Sequence, residues 1–393
     1  MTSDKEPPQP VINEIIDLNS KGYQEEALKK TESLGAKYPY SAVAQNLCGV
    51  INQASFKYDR ALECFTRTIT LRPDYHGFWS NLGNLLAKKG ENSRAFTSLK
   101  KSIVLKPDSE VGYNNLGNVV KELGNILQAQ RAYERSLIVT PVYLEAKYNL
   151  GVLLWTTGRF VDARDLLRGL HFRDSELYVL RSIYKLDDIA GFEKLYDKIL
   201  LSSPPNPILG NLGCHASLRF NKTFQNTFCK NPLNFIVKNR VFCKNEILEL
   251  RTGGLDDLIM RLYKQQKNQP LLKNGWQSTG NIFHYNEAPI AKIKRLIESQ
   301  LLEYRYKFAH SNEGFLKNWP EKTDIHGWLV AMNSGGHLLP HIHEQGWLSG
   351  SLYINVPSSK NKTDGMLKVG LTGGIFSTDS IVFPERVIEI STG

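Results

Sequence analysis

The residues best suited to chemistry lie late in the chain, in the run His341-Ile342-His343-Glu344. On a strand, residues two apart share a face, so His341 and His343 point to the same side. Two imidazoles on one face of a sheet can begin a mononuclear metal site. Three readings of the pair stand open: two metal ligands, two hydrogen-bonding histidines at a strand edge, or a metal hydrolase in which Glu344 joins them. The hydrolase has the least behind it, because no His-Glu-x-x-His pattern is present.

A second set of polar residues repeats at a fixed interval. Asn81, Asn115 and Asn149 are 34 residues apart, and Asn84 and Asn118 form a parallel column. Side-chain amides carry both a donor and an acceptor, so a regular row of them can bond the backbone of an extended peptide. The plainer reading is polarity on a helix surface, or local capping.

Both sets need a scaffold. For the asparagines it is legible in the spacing of other residues. Pro39, Pro73, Pro107 and Pro141 recur every 34 residues, as do Gly49, Gly83, Gly117 and Gly151. Ala27, Ala61, Ala95, Ala129 and Ala163 share the period, and Phe65, Leu99, Tyr133 and Leu167 follow the last four alanines by four positions. A further column, Gly90, Gly124 and Gly158, marks the turn inside each unit. Glycine and alanine at fixed places let helices approach closely, and proline ends each unit because it cannot continue a helix. Trp79, Leu82, Phe96 and Leu99 form an apolar stripe that one hairpin cannot bury alone, so units must stack.

These columns, with Trp79-Ser80-Asn81-Leu82-Gly83, Ala95, Leu99 and Pro107, resemble the tetratricopeptide repeat family. The resemblance spans residues 8–177, about five units, and implies an all-α superhelix that holds another polypeptide. It also places the asparagine columns on the concave side. There they resemble the ladder in the tetratricopeptide arm of O-linked N-acetylglucosamine transferases, which grips peptide backbone.

Residues 178–203 keep helical periodicity without the repeat columns and read as capping helices. Ser202 to Pro207 carries three prolines, so residues 204–234 read as a linker region. Beyond it the composition changes. A helical stretch from Ile290 to Phe308 lies between β-like segments. Gly327 to Asn333 reads as a strand, Ser334-Gly335-Gly336 as a turn, and Leu348 to Pro357 as another strand. Short strands and glycine-rich turns point to a sandwich or jelly roll.

Gly327 to Pro357, with Asn274-Gly275-Trp276-Gln277-Ser278 upstream, resembles the 2-oxoglutarate/Fe(II) oxygenase family often fused to such arrays. The carrying motif runs from Pro340 to Tyr353, and the resemblance covers residues 235–393. It implies a double-stranded β-helix (jelly roll) that binds Fe(II) and 2-oxoglutarate and hydroxylates a substrate. His341 would be the first ligand; the usual carboxylate two residues on is replaced by His343, with Glu344 adjacent. Tyr353 and Asn333 fall where the family contacts the oxoacid. No histidine follows His343, and Arg386 precedes the expected position of the basic residue that binds the oxoacid. The resemblance therefore implies a domain cut off before its last strands, with no third ligand identified.

The whole chain has 393 residues, enough for two or three domains, and ordinary globular composition. The net charge of +10 is dispersed, without a basic block or nucleic-acid motif, so a nucleic-acid partner is not expected. No run approaches the roughly 18 apolar residues of a membrane helix, and residues 1–15 hold no apolar signal region. Five cysteines without a CxxC pair suit reduced thiols in a cytoplasm. The expectation is a multidomain α + β protein: a repeat-guided oxygenase acting on a bound polypeptide. The alternative is a non-catalytic peptide-binding adaptor whose oxygenase-like domain is degenerate or incomplete.

Overall fold

The computed structural model describes residues 6–264, 269, 271–278, 280–339, 341, 343, 346–357, 365–371 and 383–393. The chain divides into two compact units, Met1–Leu186 and Asp187–Gly393.

The first unit is built from helical hairpins. They are α1 (Gln9–Ser20) with α2 (Gln24–Lys37), α3 (Ala42–Ala54) with α4 (Tyr58–Leu71), and α5 (His76–Lys88) with α6 (Asn92–Leu105). Then come α7 (Glu110–Glu122) with α8 (Ile126–Val139), and α9 (Leu144–Thr156) with the short α10 (Phe160–Leu167), followed by α11 (Ser175–Lys185). The glycine column and the column four residues after each alanine turn out to be one contact. A Cβ on Gly49 would strike the Phe65 ring, and on Gly117 the Tyr133 ring; Gly83 and Gly151 meet Leu99 and Leu167 in the same way. Phe65, Leu99, Tyr133 and Leu167 are all fully buried, each stabilising by about 1.5–3 kcal/mol relative to exposure. Successive hairpins join into continuous clusters, such as Phe65, Leu82, Leu85, Leu99 and Val119.

Inside the hairpins, Gly90, Gly124 and Gly158 hold φ of 75°, 81° and 80°. This left-handed residue ends the first helix: Gly90 N–H bonds Ala87 O and Glu91 N–H bonds Leu86 O, both at 2.8 Å. The column extends to Gly22 and, unexpectedly, to Phe56, a non-glycine residue at φ 60°. Hydroxyls also follow the period. Buried Ser102 and Ser136 donate at 2.8 Å to the carbonyls of His76 and Glu110, which closes the open end of these two hairpins.

The second unit opens with α12 (Ile189–Ser202) and α13 (Pro207–Arg219). Asn206 caps α13 by accepting from the N–H groups of Ile208 and Leu209. Phe192, Tyr196, Phe220 and Phe224 form an aromatic core around these helices. Helices α14 (Lys244–Leu250), α15 (Asp256–Tyr263) and α16 (Ala288–Lys307) bury Ile247, Leu250, Leu258, Leu262, Ile290 and Ile293 against one another. The short α17 (Gly314–Lys317) follows.

Among the described residues, strands are few. β1 (Leu272–Gln277) pairs antiparallel with β2 (Val330–Leu338), and β3 (Leu367–Gly370) with β4 (Glu385–Ile388), each pair a separate two-stranded sheet. Ser334-Gly335-Gly336, read as a turn, lies instead within β2. The register jumps there, from Gly275 opposite Met332 to Lys273 opposite His337, so the glycines form a bulge facing Asn274 at φ 48°. Leu348 to Pro357, read as a strand, joins no ladder. Its alternation survives as packing: Leu352 and Ile354 both press on the core of the α14–α16 helices.

Candidate functional site

β2 leads directly into the histidine pair. Pairing with β1 carries on just past the strand, where Leu339 N–H bonds Leu271 O at 2.8 Å. The backbone at His341 and His343 is not a strand, yet the rings meet. Their Nε2 atoms are 3.2 Å apart, and the ring planes stand at 77°. His341 Nδ1 lies 2.9 Å from Leu339 O. A carbonyl only accepts, so Nδ1 carries a proton and Nε2 is the ring nitrogen turned toward His343. A backbone carbonyl orienting a histidine in this way is the usual support of a metal ligand.

His343 stacks on Trp328, centroids 5.7 Å apart and planes 16° from parallel. Partial desolvation there, reinforced by the His341 ring, holds the His343 pKa below its ordinary value. That direction favours the neutral imidazole, the form that ligation requires. Gly346 N–H bonds the His343 carbonyl at 3.0 Å. Next to it Trp347 donates from Nε1 to Phe315 O at 2.9 Å and sets its ring against Phe228. Trp328 and Trp347 thus bracket the motif. Neither was singled out in the sequence, where only their place inside the glycine-rich run marked them.

The pair fits two positions of an iron site in ligand type, since imidazole suits iron, and in spacing, since nitrogens bound to one ion at about 2.1 Å lie roughly this far apart. Among the described residues, no group of three His, Cys, Asp or Glu side chains could complete it. Glu344 lies outside the described residues. Tyr353 is half-buried, its hydroxyl pKa raised by desolvation, and its carbonyl accepts from Gly393 N–H at 2.9 Å. Asn333 is exposed on β2. Neither residue has a hydrogen bond or ring contact with the histidine pair among the described residues. Arg386, on β4, donates to Leu233 O at 3.1 Å.

The asparagines occupy the first helix of each hairpin, and two of them bond between hairpins. Asn81 Nδ2 donates to Asn46 Oδ1 and Asn149 Nδ2 to Asn114 Oδ1, both at 2.8 Å. These bonds stitch α5 to α3 and α9 to α7. Asn46 and Asn114 escaped the sequence reading because Ser80 and Tyr148 interrupt their column. Asn118 Oδ1 accepts from the buried Tyr133 hydroxyl at 2.8 Å, inside its own hairpin. Asn84 and Asn115 form no side-chain hydrogen bond among the described residues. Asn81 and Asn149 each retain one N–H and the carbonyl oxygen.

Residues 55–110 and 114–175 match the family described as Tetratricopeptide repeat, and residues 326–377 match the family described as Putative 2OG-Fe(II) oxygenase. Among solved structures, the chain is similar to pilF of Pseudomonas aeruginosa at 18% identity and a TM-score of 0.46, over 52% of this chain and 95% of that one. It is similar to PilW, a type IV pilus biogenesis factor, at 16% identity and a TM-score of 0.48, over 52% and 99%. A tetratricopeptide repeat protein from Parabacteroides merdae ATCC 43184 aligns at 15% identity and a TM-score of 0.45, over 65% and 97%. No curated protein matches. The chain carries tetratricopeptide repeats, and the matched oxygenase segment contains both histidines, Trp328 and Asn333. Among the described residues, no helix is long and apolar enough to cross a membrane.

Proposed function

We propose that the protein is a 2-oxoglutarate/Fe(II)-dependent oxygenase that hydroxylates a polypeptide held by its helical array. One observation carries the reading: His341 and His343 bring their Nε2 atoms within 3.2 Å of each other, inside the segment that matches an oxygenase family. His341 and His343 would hold the ferrous ion. With 2-oxoglutarate and O₂, that ion supplies the oxidising chemistry of this enzyme class.

The chain's own residues have definite tasks in this reading. Leu339 O fixes the His341 tautomer, and Trp328 covers one face of His343. Tyr353 and Asn333 are assigned to the oxoacid on resemblance, within a domain spanning residues 235–393 that follows the jelly-roll plan. In the array, Asn84 and Asn115 offer whole amides to a peptide backbone. Asn81 and Asn149 offer what their bonds to Asn46 and Asn114 leave, and Asn118 its N–H groups. All five cysteines are free thiols, which fits a reducing, cytoplasmic setting.

Anaerobic addition of Fe(II) and then 2-oxoglutarate tests the reading. It predicts a visible charge-transfer band that is lost in His341→Ala. A featureless spectrum, with peptide binding by the array intact, would leave the protein an adaptor. Separately, replacing Asn81, Asn115 and Asn149 with alanine should abolish binding to a peptide library; unchanged binding removes the ladder from the account.

A further inference from the structure

The second hairpin holds a pair of thiols that the reading above does not use. We infer that Cys48 on α3 and Cys64 on α4 form a reversible, peroxide-driven disulfide that clamps this hairpin. Their sulfurs lie 2.8 Å apart, with the Cys64 S–H donating to Cys48. Each residue is 2% exposed, yet both line a cavity of about 340 Å³, together with Gly35, Pro39, Gln45, Arg60, Glu63 and Arg67. A water occupies about 30 Å³ of liquid, so the cavity has ample room for a small hydroperoxide.

The environment assigns the two sulfurs different parts. Cys48 accepts the Cys64 hydrogen bond and an N–H from Asn52 at 3.4 Å, and the Arg60 guanidinium is close enough to act on it. These lower its pKa, the Cys64 bond most, against the opposing effect of burial. Cys64, as the donor, is pushed up and stays a thiol. The Glu32 carboxylate on the same cavity acts against Arg60, so the Cys64 hydrogen bond and the opening onto the cavity are what favour Cys48 as the reacting thiol. Buried Cys214 and Cys229, by contrast, are pushed up to about 11 and about 12, chiefly by desolvation.

The electrons balance with a hydroperoxide as oxidant. Cys48 loses its proton to solvent, and its thiolate attacks one peroxide oxygen. An S–O bond forms, the O–O bond breaks, and the departing hydroxide takes the Cys64 proton as water. The Cys64 thiolate then attacks the Cys48 sulfur. The S–S bond forms, the S–O bond breaks, and the second hydroxide takes up a solvent proton. Two thiols are oxidised by two electrons and one peroxide yields two waters. A disulfide needs its sulfurs at about 2.05 Å, so the pair must close by only about 0.8 Å. A soft metal ion fits poorly: thiolate–metal bonds of about 2.3 Å hold sulfurs farther apart than this pair. Closure fixes α3, which carries Asn46 at one end of the asparagine stitching.

The test uses the full chain with Cys243→Ser, which removes the one exposed thiol. Trypsin cuts after Lys57 and Arg60, leaving Cys48 on peptide 38–57 and Cys64 on peptide 61–67. After equimolar hydrogen peroxide, the intact mass should fall by two hydrogens, and a non-reducing map should join those peptides, reversibly with dithiothreitol. In Cys64→Ser, dimedone should trap a sulfenic acid at Cys48. Should that variant not fold, the map of the chain retaining both thiols decides alone. Separate peptides, or a Cys214–Cys229 link forming as readily, would overturn the proposal. So would an adduct found on Cys64 in Cys48→Ser and none on Cys48.

Discussion

The repeat array and the histidine-bearing region solve opposite problems with the same chain. In the array each contact recurs: a glycine under a large apolar side chain, a left-handed turn residue, a hydroxyl closing the open end. Around the histidines nothing recurs. The pair depends on one bulge, one backbone carbonyl and two tryptophans, each used once. Burial follows the same division. Leu99 is fully buried, whereas Val330 and Met332 on β2 remain 41% and 48% exposed. Repetition distributes stability over many equivalent contacts, whereas the geometry around the histidines rests on a few single ones.

The largest expected effect breaks the array. Leu99→Ala removes a fully buried side chain beneath Gly83 and should cost about 3 kcal/mol, read as a lowered urea midpoint. Val330→Ala, at an exposed strand position, should stay within about 0.5 kcal/mol. Equal losses would erase the distinction between the regions. Next in size, Trp328→Ala should weaken Fe(II) affinity about tenfold while leaving the melting temperature nearly unchanged, because Trp328 positions His343 without being a ligand. A large stability loss with unaltered affinity would make Trp328 a packing residue only.

Smaller effects sharpen the picture of the array. Asn149→Ala leaves Asn114 Oδ1 without its donor and should cost about 1 kcal/mol in unfolding free energy; no loss would show that the stitch is cosmetic. Phe56→Gly places glycine at φ 60°, where four sister positions already have it. Relief of left-handed strain, offset by glycine's extra unfolded-state entropy, should stabilise the protein by about 0.5 kcal/mol. A lower melting temperature would mean that the Phe56–Tyr58 ring contact at 6.2 Å outweighs the strain.

The array was legible because its constraints are periodic. Gly117 and Tyr133 could be paired as columns before their contact was visible, and Gly90 declared its turn. Asn46 and Asn114 were missed because Ser80 and Tyr148 break their column, and Phe56 because a bulky residue hides a glycine position. The histidine motif was legible as a pair for a partly different reason from the one that holds. Period-two reasoning put both rings on one side, but neither His341 nor His343 lies on a strand, and the rings meet through the Leu339 carbonyl and the Trp328 stack. A glycine-rich run looked like a turn and proved to be a bulge, since partner-strand register cannot be read from one strand alone.

Whether His341 and His343 hold one metal ion together can be read from X-ray absorption on the Fe(II)-loaded chain. Two imidazole scatterers should appear at bonding distance, and both should vanish in the His341→Ala/His343→Ala variant. A spectrum without imidazole signals, or one unchanged in that variant, would contradict the account.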